Sequence, residues 1–352
     1  MAINPLPRNI AVVRLDALGD TILTIPLLDS LRKLVPGARI VVIASPRGYP
    51  ALKDSHSVDE VLVIEPGELT WTRMRTVAGQ LRERNIALSI NVTEKLGGYL
   101  IPFMAPVPAR IGFNPGFIQP VKECICQALL THKIHYMNDP SRPGGEHEIE
   151  RQHRLLEPLG GEGSPGPYRI AIDEEHGKWA REFLGAACGG AAVPVALHLS
   201  NKWLDDGGSD DFLRILAGEL QKMSHLVLTY GPAEKAWAEP FAASLGQERL
   251  TVFHDPSYLR WASVLSLTKA LVTMDTSAGH VAAGVSLPVV DVFPSLYFAH
   301  CTERWHPWRV AHRLVEKKSL QEVSGREKEE RQEELLAHIM KALQELLQCQ
   351  NS

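Results

Sequence analysis

The sequence predicts an α/β protein built from two doubly wound domains, and three observations support this. The chain has 352 residues, which exceeds one typical domain and provides material for two cores. Its β-branched runs are continuously apolar rather than alternating, as expected for strands that are covered on both faces of a parallel sheet. Segments with helical spacing of apolar residues separate these runs, and the whole pattern starts again near residue 193.

The first domain is predicted at residues 1–165. Four continuous apolar runs predict its strands: 10–15, 38–44, 59–65 and 86–92. Between the first two runs, apolar residues recur at helical spacing from Ile22 to Leu34, and Pro36-Gly37 ends the helix. Strand, helix and strand in this order indicate a βαβ unit and therefore a parallel sheet.

The second domain is predicted at residues 166–320, after the Gly/Pro-rich linker "GGEGSPGP". Its strands are predicted from five apolar runs: "VPVALHL", "SHLVLTY", "LTVFH", "ALVTM" and "PVVDVF". Residues 321–352 are predicted separately as a long amphipathic C-terminal helix with a short tail, because "REKEERQEELLAHIMKALQELL" keeps one apolar face.

Composition excludes several classes of protein. Hydrophobic residues make up 45% and charged residues 22% of the chain, and the formal net charge is -4, so we expect no global nucleic-acid surface. The five cysteines form no C-x-x-C pair, which argues against a disulfide framework and favours a reducing compartment. No stretch reaches the roughly 18 apolar residues of a membrane span. We therefore expect a cytoplasmic protein.

Three patterns resemble cofactor sites without the context that such sites need. Residues 161–166 spell G-x-G-x-x-G, but this copy follows a helix, contains Pro165 and is expected to lead into a strand, so we predict no dinucleotide site. The pairs Asp205-Asp206 and Asp210-Asp211 precede a helix and suit helix capping better than a metal. Thiols and imidazoles at another place lack the spacing of a standard zinc site: Cys124, Cys126, His132 and His135.

The stretch "MDTSAGHVAAG" joins two predicted strands of the second domain. Ligands of open α/β sheets bind beyond the carboxyl ends of the strands, where the next helix offers free N–H groups. With a helix start near Ser277, the Thr276 hydroxyl and the backbone at Gly279 are placed to bind a phosphate. Asp275 is placed to accept sugar hydroxyl groups, and His280 follows within one turn. The alternative is a plain helix cap with a core histidine.

Two further strand ends in this domain carry polar residues. "LHLSNKW" places Ser200 and Lys202 after the first strand, and a lysine there suits a diphosphate. "YGPAEKAW" places Glu234 after the next strand. The alternative is an exposed loop lysine and a helix-start carboxylate.

In the first domain, "RLDALGDTIL" forms the first turn between strand and helix. Gly19 permits a tight turn, and Asp20 is expected at a helix N-terminus facing the cleft between domains. Such an aspartate is most often a cap. We also expect the helix dipole to lower its pKa and to keep it ionised, so that it can accept a proton.

Together these motifs resemble those of the family 9 glycosyltransferases, the ADP-heptose:lipopolysaccharide heptosyltransferases. "RLDALGDTILTIPLLDSLRKLVPGARI" is similar to the opening of family members, and "MDTSAGHVAAGVSLPVVDVF" followed by "ERWHPW" is similar to their C-terminal signature. "HEIERQHRLLEPLG", "KW" and "YGPAE" fill the expected intervals, so the resemblance covers nearly the whole chain.

The resemblance implies a GT-B fold, in which two Rossmann-like domains with parallel sheets face each other. It implies that the first domain binds the acceptor and the second binds the nucleotide sugar. The implied reaction moves heptose from ADP-L-glycero-beta-D-manno-heptose to a lipopolysaccharide inner-core sugar, with inversion and with no metal or other cofactor. The implied partners are the donor, an anionic glycolipid acceptor and the cytoplasmic face of the inner membrane, which the protein contacts peripherally.

The resemblance also assigns roles to individual residues. Asp20 matches the general base of the family. The residues that match its donor site are Ser200, Lys202, Glu234, Asp275, Thr276 and His280. Departures from the family pattern are "KWL" in place of K-x-W-P, and Asn91-Val-Thr-Glu94-Lys95 where many members have aspartate after the fourth strand.

Acceptor and membrane contacts are expected in the first domain, at Lys95 and Arg110, along the apolar run 99–113 and at the loop 138–145. The alternative for the apolar run is a core helix. Other functions remain open: a transferase of the same family with another nucleotide sugar or acceptor, a nucleotide-sugar epimerase on the same fold, or an idle binding module. The intact Gly19-Asp20 pair argues against the idle module.

Overall fold

The computed structural model describes residues 3–65, 69–114, 120–135, 145–189 and 193–349. The chain divides into two compact units, Met1–Gly166 and Pro167–Ser352. The boundary predicted after residue 165 is adjacent to this division. The terminal segment predicted separately from residue 321 is part of the second unit.

The first unit contains one six-stranded sheet within the described residues, and all its strand pairs are parallel. Its strands are β1 (Asn9–Arg14), β2 (Arg39–Ala44), β3 (Glu60–Val63), β4 (Leu88–Asn91), β5 (Ala109–Asn114) and β6 (His132–His135). Its helices are α1 (Leu18–Ile22), α2 (Ile25–Leu34), α3 (Tyr49–Leu52), α4 (Trp71–Glu83), α5 (Leu96–Met104), α6 (Pro120–Leu129) and α7 (Glu148–His153), followed by a 3₁₀ helix (Arg154–Leu159).

The second unit also contains a six-stranded, fully parallel sheet within the described residues. Its strands are β7 (Val195–Leu199), β8 (Leu226–Tyr230), β9 (Leu250–Phe253), β10 (Leu271–Met274), β11 (Val289–Pro294) and β12 (His312–Lys317). Its helices are α8 (Glu174–Cys188), α9 (Asp210–Met223), α10 (Lys235–Ser244), α11 (Tyr258–Ser266), α12 (Ser277–Gly284), α13 (Phe298–Trp305) and α14 (Arg326–Cys349), with 3₁₀ helices at Asn201–Trp203 and Ser295–Tyr297.

The two sheets have the same topology. The first has the order β3-β2-β1-β4-β5-β6 and the second β12-β11-β10-β7-β8-β9, which is the Rossmann order in both cases when each unit is numbered from its own first strand. The order reverses between β1 and β4 and between β7 and β10. Ligands of such sheets bind at the carboxyl ends of the strands on either side of this switch point.

Burial on both faces explains why the strands read as continuous apolar runs. In β1, Ile10 and Val12 pack with the apolar residues of α2. The alternate residues Ala11 and Val13 pack with the apolar residues of α4 on the opposite face. A charged side chain in the middle of such a strand would have no water on either side, so in β1 the charged residue, Arg14, is at the strand end.

The predicted long C-terminal helix is confirmed as α14. Its residues Leu335, Ile339, Leu343 and Leu346 are buried in the same apolar cluster as the strands β7, β10 and β11. Within the described residues, the chain contains no helix that is long and apolar enough to cross a membrane.

Three strands were missed by the sequence prediction. β6 and β12 each lie at one edge of their sheet, and polar residues interrupt their sequences, HKIH and HRLVEK, so these strands lack the continuous apolar run that identified the others. β5 follows α5 within the stretch 99–113. That stretch is mostly core, as the alternative for it proposed, since Tyr99 and Ile101 are buried.

The prediction for the segment with the dinucleotide pattern, residues 161–166, was partly wrong. It follows the 3₁₀ helix Arg154–Leu159, but the described residues after it form an irregular segment up to α8 rather than the expected strand. α8 begins at Glu174, well beyond Gly166. The helix N-terminus that a dinucleotide site requires at the third glycine is therefore not formed there.

Candidate functional site

The first cluster of polar residues lies after β1, at the switch point of the first sheet. α1 begins at Leu18 with Ala17 as its N-cap, so Asp20 lies in the first turn and is not the N-cap residue. The Asp20 side chain is 40% exposed, and its Oδ1 lies 3.0 Å from NH2 of Arg14, whose side chain is only 5% exposed. The Asp20 carboxylate is therefore partly exposed to solvent and also contacts a buried guanidinium group.

Arg14 was not singled out from the sequence as a site residue, although it is the one charged residue of the apolar run that forms β1. Its NH1 donates a hydrogen bond of 2.9 Å to the Val92 carbonyl, after β4. The same NH1 lies 3.5 Å from Oδ2 of Asp16. The guanidinium group therefore links the ends of β1 and β4 and holds Asp20 in place.

The electrostatic environment of Asp20 differs from the expectation. Burial raises the pKa of Asp20 above its ordinary value, although Arg14 lowers it; the neighbouring carboxylates Asp16 and Glu148 raise it further, and a hydrogen bond from the Ala17 N–H lowers it. The prediction of a lowered pKa was wrong because desolvation outweighs the charge of Arg14 and the helix terminus. A carboxylate with a raised pKa is a stronger base than a freely solvated one.

The two expected acceptor contacts lie at different places in the first unit. Lys95 precedes α5, at the carboxyl ends of the strands, where its Nζ lies 3.6 Å from Oδ1 of Asp16 and donates to the Leu15 carbonyl. Arg110 is near the start of β5 and donates to the carbonyls of Val107 and Leu129, at 2.6 Å each. Because all strands are parallel, the start of β5 lies with the amino-terminal ends of the strands, opposite to the carboxyl ends where Asp20 lies. The structure therefore brings Lys95, and not Arg110, to the Asp20 cluster.

The second cluster lies after β10, at the switch point of the second sheet. α12 begins at Ser277, as predicted, and Thr276 is its N-cap, with Oγ1 accepting from the Ala278 N–H at 3.3 Å. The Thr276 hydroxyl also lies 3.1 Å from the hydroxyl of Thr273 in β10. The capping role that we considered as the alternative is therefore present. It leaves the Ser277 and Gly279 backbone in the first turn of α12.

An ion pair joins this turn to the loop after β7. Lys202 Nζ lies 2.7 Å from Oδ2 of Asp275 and also donates to the Asp275 carbonyl. The two side chains remain partly exposed, 44% for Lys202 and 22% for Asp275. The predicted lysine and the predicted carboxylate are thus adjacent, although 72 residues separate them in the chain.

Ser200 and Glu234 flank this loop. Ser200 is 6% exposed, and its Oγ is buried without a hydrogen-bond partner among the described residues. Glu234 precedes α10, and its Oε1 accepts a hydrogen bond of 3.4 Å from the backbone N–H of Asn201. Both predicted residues therefore border the segment that carries Lys202.

Residues 275–279 form the predicted donor turn. His280 follows it in α12, and a residue missed from the sequence lies next to it. His280 is buried, and desolvation lowers its pKa to about 4, so that the imidazole is neutral at neutral pH. Asp291, in the middle of β11, is 1% exposed, and burial and the charge of Asp275 raise its pKa well above the ordinary value, while Lys202 lowers it. A Cβ on Gly279 would lie 2.9 Å from Oδ2 of Asp291. The signal for Asp291 was a lone carboxylate inside the apolar run "PVVDVF".

Residues of the two Asp-Asp pairs have partners within the protein. Lys317 Nζ donates to the Asp205 carbonyl, Ser319 Oγ donates to the Asp206 carboxylate, and Arg214 pairs with Asp210 at 2.6 Å. Within the described part of the chain, no group of three or more His, Cys, Asp and Glu side chains is placed to hold a metal ion.

The two cysteines and two histidines near residue 130 lie on different elements. Cys124 and Cys126 are in α6, and His132 and His135 are in β6. Cys126 is buried, and its Sγ lies 3.6 Å from the Phe113 carbonyl, whereas Cys124 is exposed. His132 Nδ1 lies 2.9 Å from the Thr131 hydroxyl. His135 is the last residue of β6 and is exposed.

Comparison with known proteins agrees with this arrangement of two Rossmann-type sheets. The family model described as "Glycosyltransferase family 9 (heptosyltransferase)" matches residues 74–336. The chain belongs to glycosyltransferase family 9. It is therefore a glycosyltransferase of the heptosyltransferase family, as the sequence motifs predicted.

Individual relatives of this family 9 protein cover most of the chain. It is 24% identical over 303 residues to lipopolysaccharide heptosyltransferase 3 of Escherichia coli K12, with 82% of each chain covered. A family 9 glycosyltransferase of Veillonella parvula matches with a TM-score of 0.77, 18% identity and 99% coverage of both chains. The ADP-heptose LPS heptosyltransferase II of E. coli matches with a TM-score of 0.74 and 17% identity, over 98% of this chain and 100% of the other. The predicted fold class is confirmed.

Proposed function

We propose that this protein is an inverting heptosyltransferase that moves heptose from ADP-L-glycero-beta-D-manno-heptose to a lipopolysaccharide inner-core sugar. Membership of family 9 and the heptosyltransferases among its relatives support this reaction. The observation that carries the proposal is the Lys202–Asp275 contact of 2.7 Å at the N-terminus of α12. It combines a cation, the N-terminus of a helix and a hydroxyl-accepting carboxylate, which are groups that suit a diphosphate sugar.

The donor binds to the second unit in this proposal. Lys202, the Ser200 hydroxyl and the first turn of α12 after Thr276 bind the diphosphate. Gly279, predicted as a contact of the donor, is buried, and the lack of a side chain there makes room for Asp291 instead. Asp275 accepts hydrogen bonds from sugar hydroxyl groups, and Glu234 from the ribose. His280 is neutral because burial lowers its pKa to about 4, so it adds no positive charge and supports the turn. As the sugar–phosphate bond breaks, negative charge grows on the leaving ADP, and Lys202 stabilises it increasingly.

The acceptor binds to the first unit, where Asp20 is the general base. Its carboxylate takes the proton of the acceptor hydroxyl as this oxygen attacks the anomeric carbon from the face opposite the leaving group, through an oxocarbenium-like transition state. Arg14, at 3.0 Å, orients the carboxylate, and the raised pKa of Asp20 strengthens it as a base. Lys95, beside Asp16 at the same strand ends, contributes positive charge for an anionic acceptor.

A transferase that uses another nucleotide sugar or acceptor has the same site requirements, and an epimerase would change its sugar without any acceptor. We would incubate the purified protein with a panel of nucleotide sugars, with and without lipopolysaccharide core acceptor, and follow the products by mass spectrometry. ADP release that requires both ADP-heptose and acceptor supports the proposal. Release of an altered sugar without acceptor would establish the epimerase instead.

We predict that Asp20→Asn lowers kcat by about 10²-fold or more, the usual scale for loss of a general base. The amide keeps the size of the side chain but cannot take a proton. Because the pKa of Asp20 is raised, the wild-type kcat should fall as pH decreases through that raised pKa, and this acidic limb should be absent from the residual activity of the variant. The measurements are steady-state rates against pH and a thermal melt.

The matched control for Asp20 is Asp29→Asn, which removes a carboxylate from α2 in the same unit, where it accepts from the Ser57 hydroxyl. Its kcat should stay within about twofold of wild type, as expected for a change away from the reacting groups. Near-normal kcat in Asp20→Asn, with an unchanged pH profile, would remove Asp20 from the mechanism.

We predict that Lys202→Ala lowers kcat/KM for the donor by about 10²-fold or more, because a cation aimed at a leaving group contributes several kcal/mol to the barrier. Its effect on the melting temperature should be small, since a partly exposed ion pair contributes about 0–1 kcal/mol to stability. The control is Lys222→Ala, which removes a lysine paired with Glu219 on the exposed face of α9. Equal rates in Lys202→Ala and wild type would contradict the donor role.

We propose that the reaction uses no metal ion or other cofactor, because Lys202 and the α12 N-terminus supply positive charge for the diphosphate. Activity measured after treatment with excess EDTA and desalting should equal that of the untreated enzyme. If added Mg²⁺ or Mn²⁺ were needed to restore turnover, the metal-free mechanism would be wrong.

We also propose that the first unit contacts the membrane that carries the glycolipid acceptor. Burial of Tyr99 and Ile101 removes most of the apolar run 99–113 from consideration, and residues 138–144 lie outside the described part of the chain. The remaining candidates are Leu96 and Phe103, which are 50% and 47% exposed and lie two turns apart on one face of α5. The guanidinium of Arg110 lies 5.5 Å from the centre of the Phe103 ring, and a cation beside an apolar face suits an anionic bilayer.

We predict that the protein floats with liposomes that contain anionic lipid, and that the double variant Leu96→Ser/Phe103→Ser floats about fivefold less, because both apolar anchors are lost. The control is Ile215→Ser, which removes a comparably exposed apolar residue, 55% exposed, from α9 of the second unit. Absence of lipid-dependent flotation of the wild-type protein would contradict the membrane contact.

A further inference from the structure

A buried lysine at the end of β12 holds the loop that carries Lys202. Lys317 is only 3% exposed, which is rare for a lysine and requires that its ammonium group be paired. Its Nζ donates to the carbonyls of Asp205 at 2.6 Å, Trp203 at 3.3 Å and Lys202 at 3.4 Å. An ammonium group has three donors, so these three carbonyls account for all of them.

The contact is long-range in both the chain and the sheet. β12 is an edge strand, and β11 and β10 separate it from β7 in the strand order. The loop after β7 must therefore pass the carboxyl ends of β10 and β11 to reach Lys317. Asp275 and α12 follow the carboxyl end of β10.

Other ties fix the same loop to the segment after β12. Ser319 Oγ donates to the Asp206 carboxylate at 2.6 Å, and the Leu320 N–H donates to the Asp206 carbonyl at 3.0 Å. Gly207 has a φ of +76°, and a Cβ there would lie 2.5 Å from the Leu320 carbonyl carbon. The loop backbone therefore packs directly against the chain that follows Lys317.

Two nearby carboxylates partly compensate for the burial of the Lys317 ammonium group. Burial lowers the pKa of its ammonium group, while Asp206 and Asp205 raise it. The two carboxylates thus offset part of the cost of burying a cation. An apolar side chain of the same length would leave three carbonyls without this donor, which is costly in a desolvated place.

We propose that Lys317 is a positioning residue for glycosyl transfer, which fixes the backbone of Lys202 so that its side chain meets Asp275 and the donor diphosphate. This rests on the proposed donor role of Lys202. A lysine side chain is flexible, so the direction of the Lys202 ammonium group depends on where its backbone is held. Lys317 binds the Lys202 carbonyl on one side of the residue, and Asp275 binds its ammonium group on the other.

The test uses Lys317→Met, which keeps the length of the side chain and removes its donors. ADP is the probe, and isothermal titration measures its affinity for the full-length protein. We expect Lys317→Met to weaken ADP binding by about tenfold and to lower kcat/KM for the donor by at least as much, because displacements of about 1 Å at a site cost up to 10²-fold. Lys318→Met is the matched control, because Lys318 is the next residue and pairs with Glu334 on the surface.

A double-mutant cycle distinguishes positioning from general loss of stability. If Lys317 acts through Lys202, the variant Lys202→Ala/Lys317→Met should bind ADP no more weakly than Lys202→Ala alone. Multiplied losses in the double variant would overturn the proposal. Amide hydrogen exchange should also rise in residues 201–208 of Lys317→Met, but not in Lys318→Met.

Failure of this inference can be separated from failure of the proposed function. Normal ADP affinity in Lys317→Met, together with weakened affinity in Lys202→Ala, would overturn only the positioning role. Normal affinity in Lys202→Ala would overturn the donor role of Lys202 and the positioning role with it. If Lys317→Met does not fold, Ser319→Ala replaces it. This change removes the 2.6 Å hydrogen bond that the Ser319 hydroxyl donates to Asp206 and the 3.4 Å bond that it accepts from the Gln321 N–H; we then expect a loss of about threefold in ADP affinity, and no loss would overturn the proposal.

Discussion

Burial of both faces of each parallel sheet is the constraint on which the rest of the structure depends. The central strands β1 and β7 are covered on both sides by helices, and their inner residues Val12 and Leu197 are fully buried. Such strands have no place for solvated polar groups except at their ends. The chain therefore places its candidate functional groups at the carboxyl ends, where the strand order reverses and helices begin. Both units follow this rule, with Asp20 in one and Lys202 and Asp275 in the other.

Within that constraint, each cluster depends on a cation that contacts both a carboxylate and the backbone. Arg14 is almost fully buried and contacts Asp20 and the Val92 carbonyl. Lys202 is half exposed and contacts Asp275 through both the carboxylate and the carbonyl. The difference in exposure has a consequence for chemistry. A buried guanidinium group orients a neighbouring base, whereas an accessible ammonium group can bind an incoming diphosphate.

Buried groups with altered pKa values surround the donor turn and limit its charge. His280, a residue of α12, is neutral at neutral pH, and burial raises the pKa of Asp291, which lies next to Gly279 of the same helix. The Lys202–Asp275 pair is therefore the main source of charge at this turn. The ammonium group of Lys317 is paired with backbone carbonyls of the loop after β7. A raised pKa at Asp291 reduces the negative charge that this carboxyl group adds next to the turn.

The sequence by itself determined the strands with continuous apolar runs, the start of α12 at Ser277 and the long helix α14, because these features depend on local patterns of burial and capping. It also determined the family, since the motifs around Asp20 and Asp275 are contiguous in the chain. The strands β6 and β12 were missed because polar residues interrupt the apolar run in their sequences.

Only the tertiary structure decided which side chains meet. The sequence predicted both Arg110 and Lys95 as acceptor contacts. In the structure, Arg110 donates to backbone carbonyls near the start of β5, whereas Lys95 lies beside Asp16 at the carboxyl ends of the strands. Other features also depend on segments that are far apart in sequence. These are the raised pKa of Asp20, the pairing of Lys202 with Asp275, and the contact of Lys317 with the loop after β7. Desolvation and Coulomb interactions depend on distances in space, and local sequence patterns do not contain those distances.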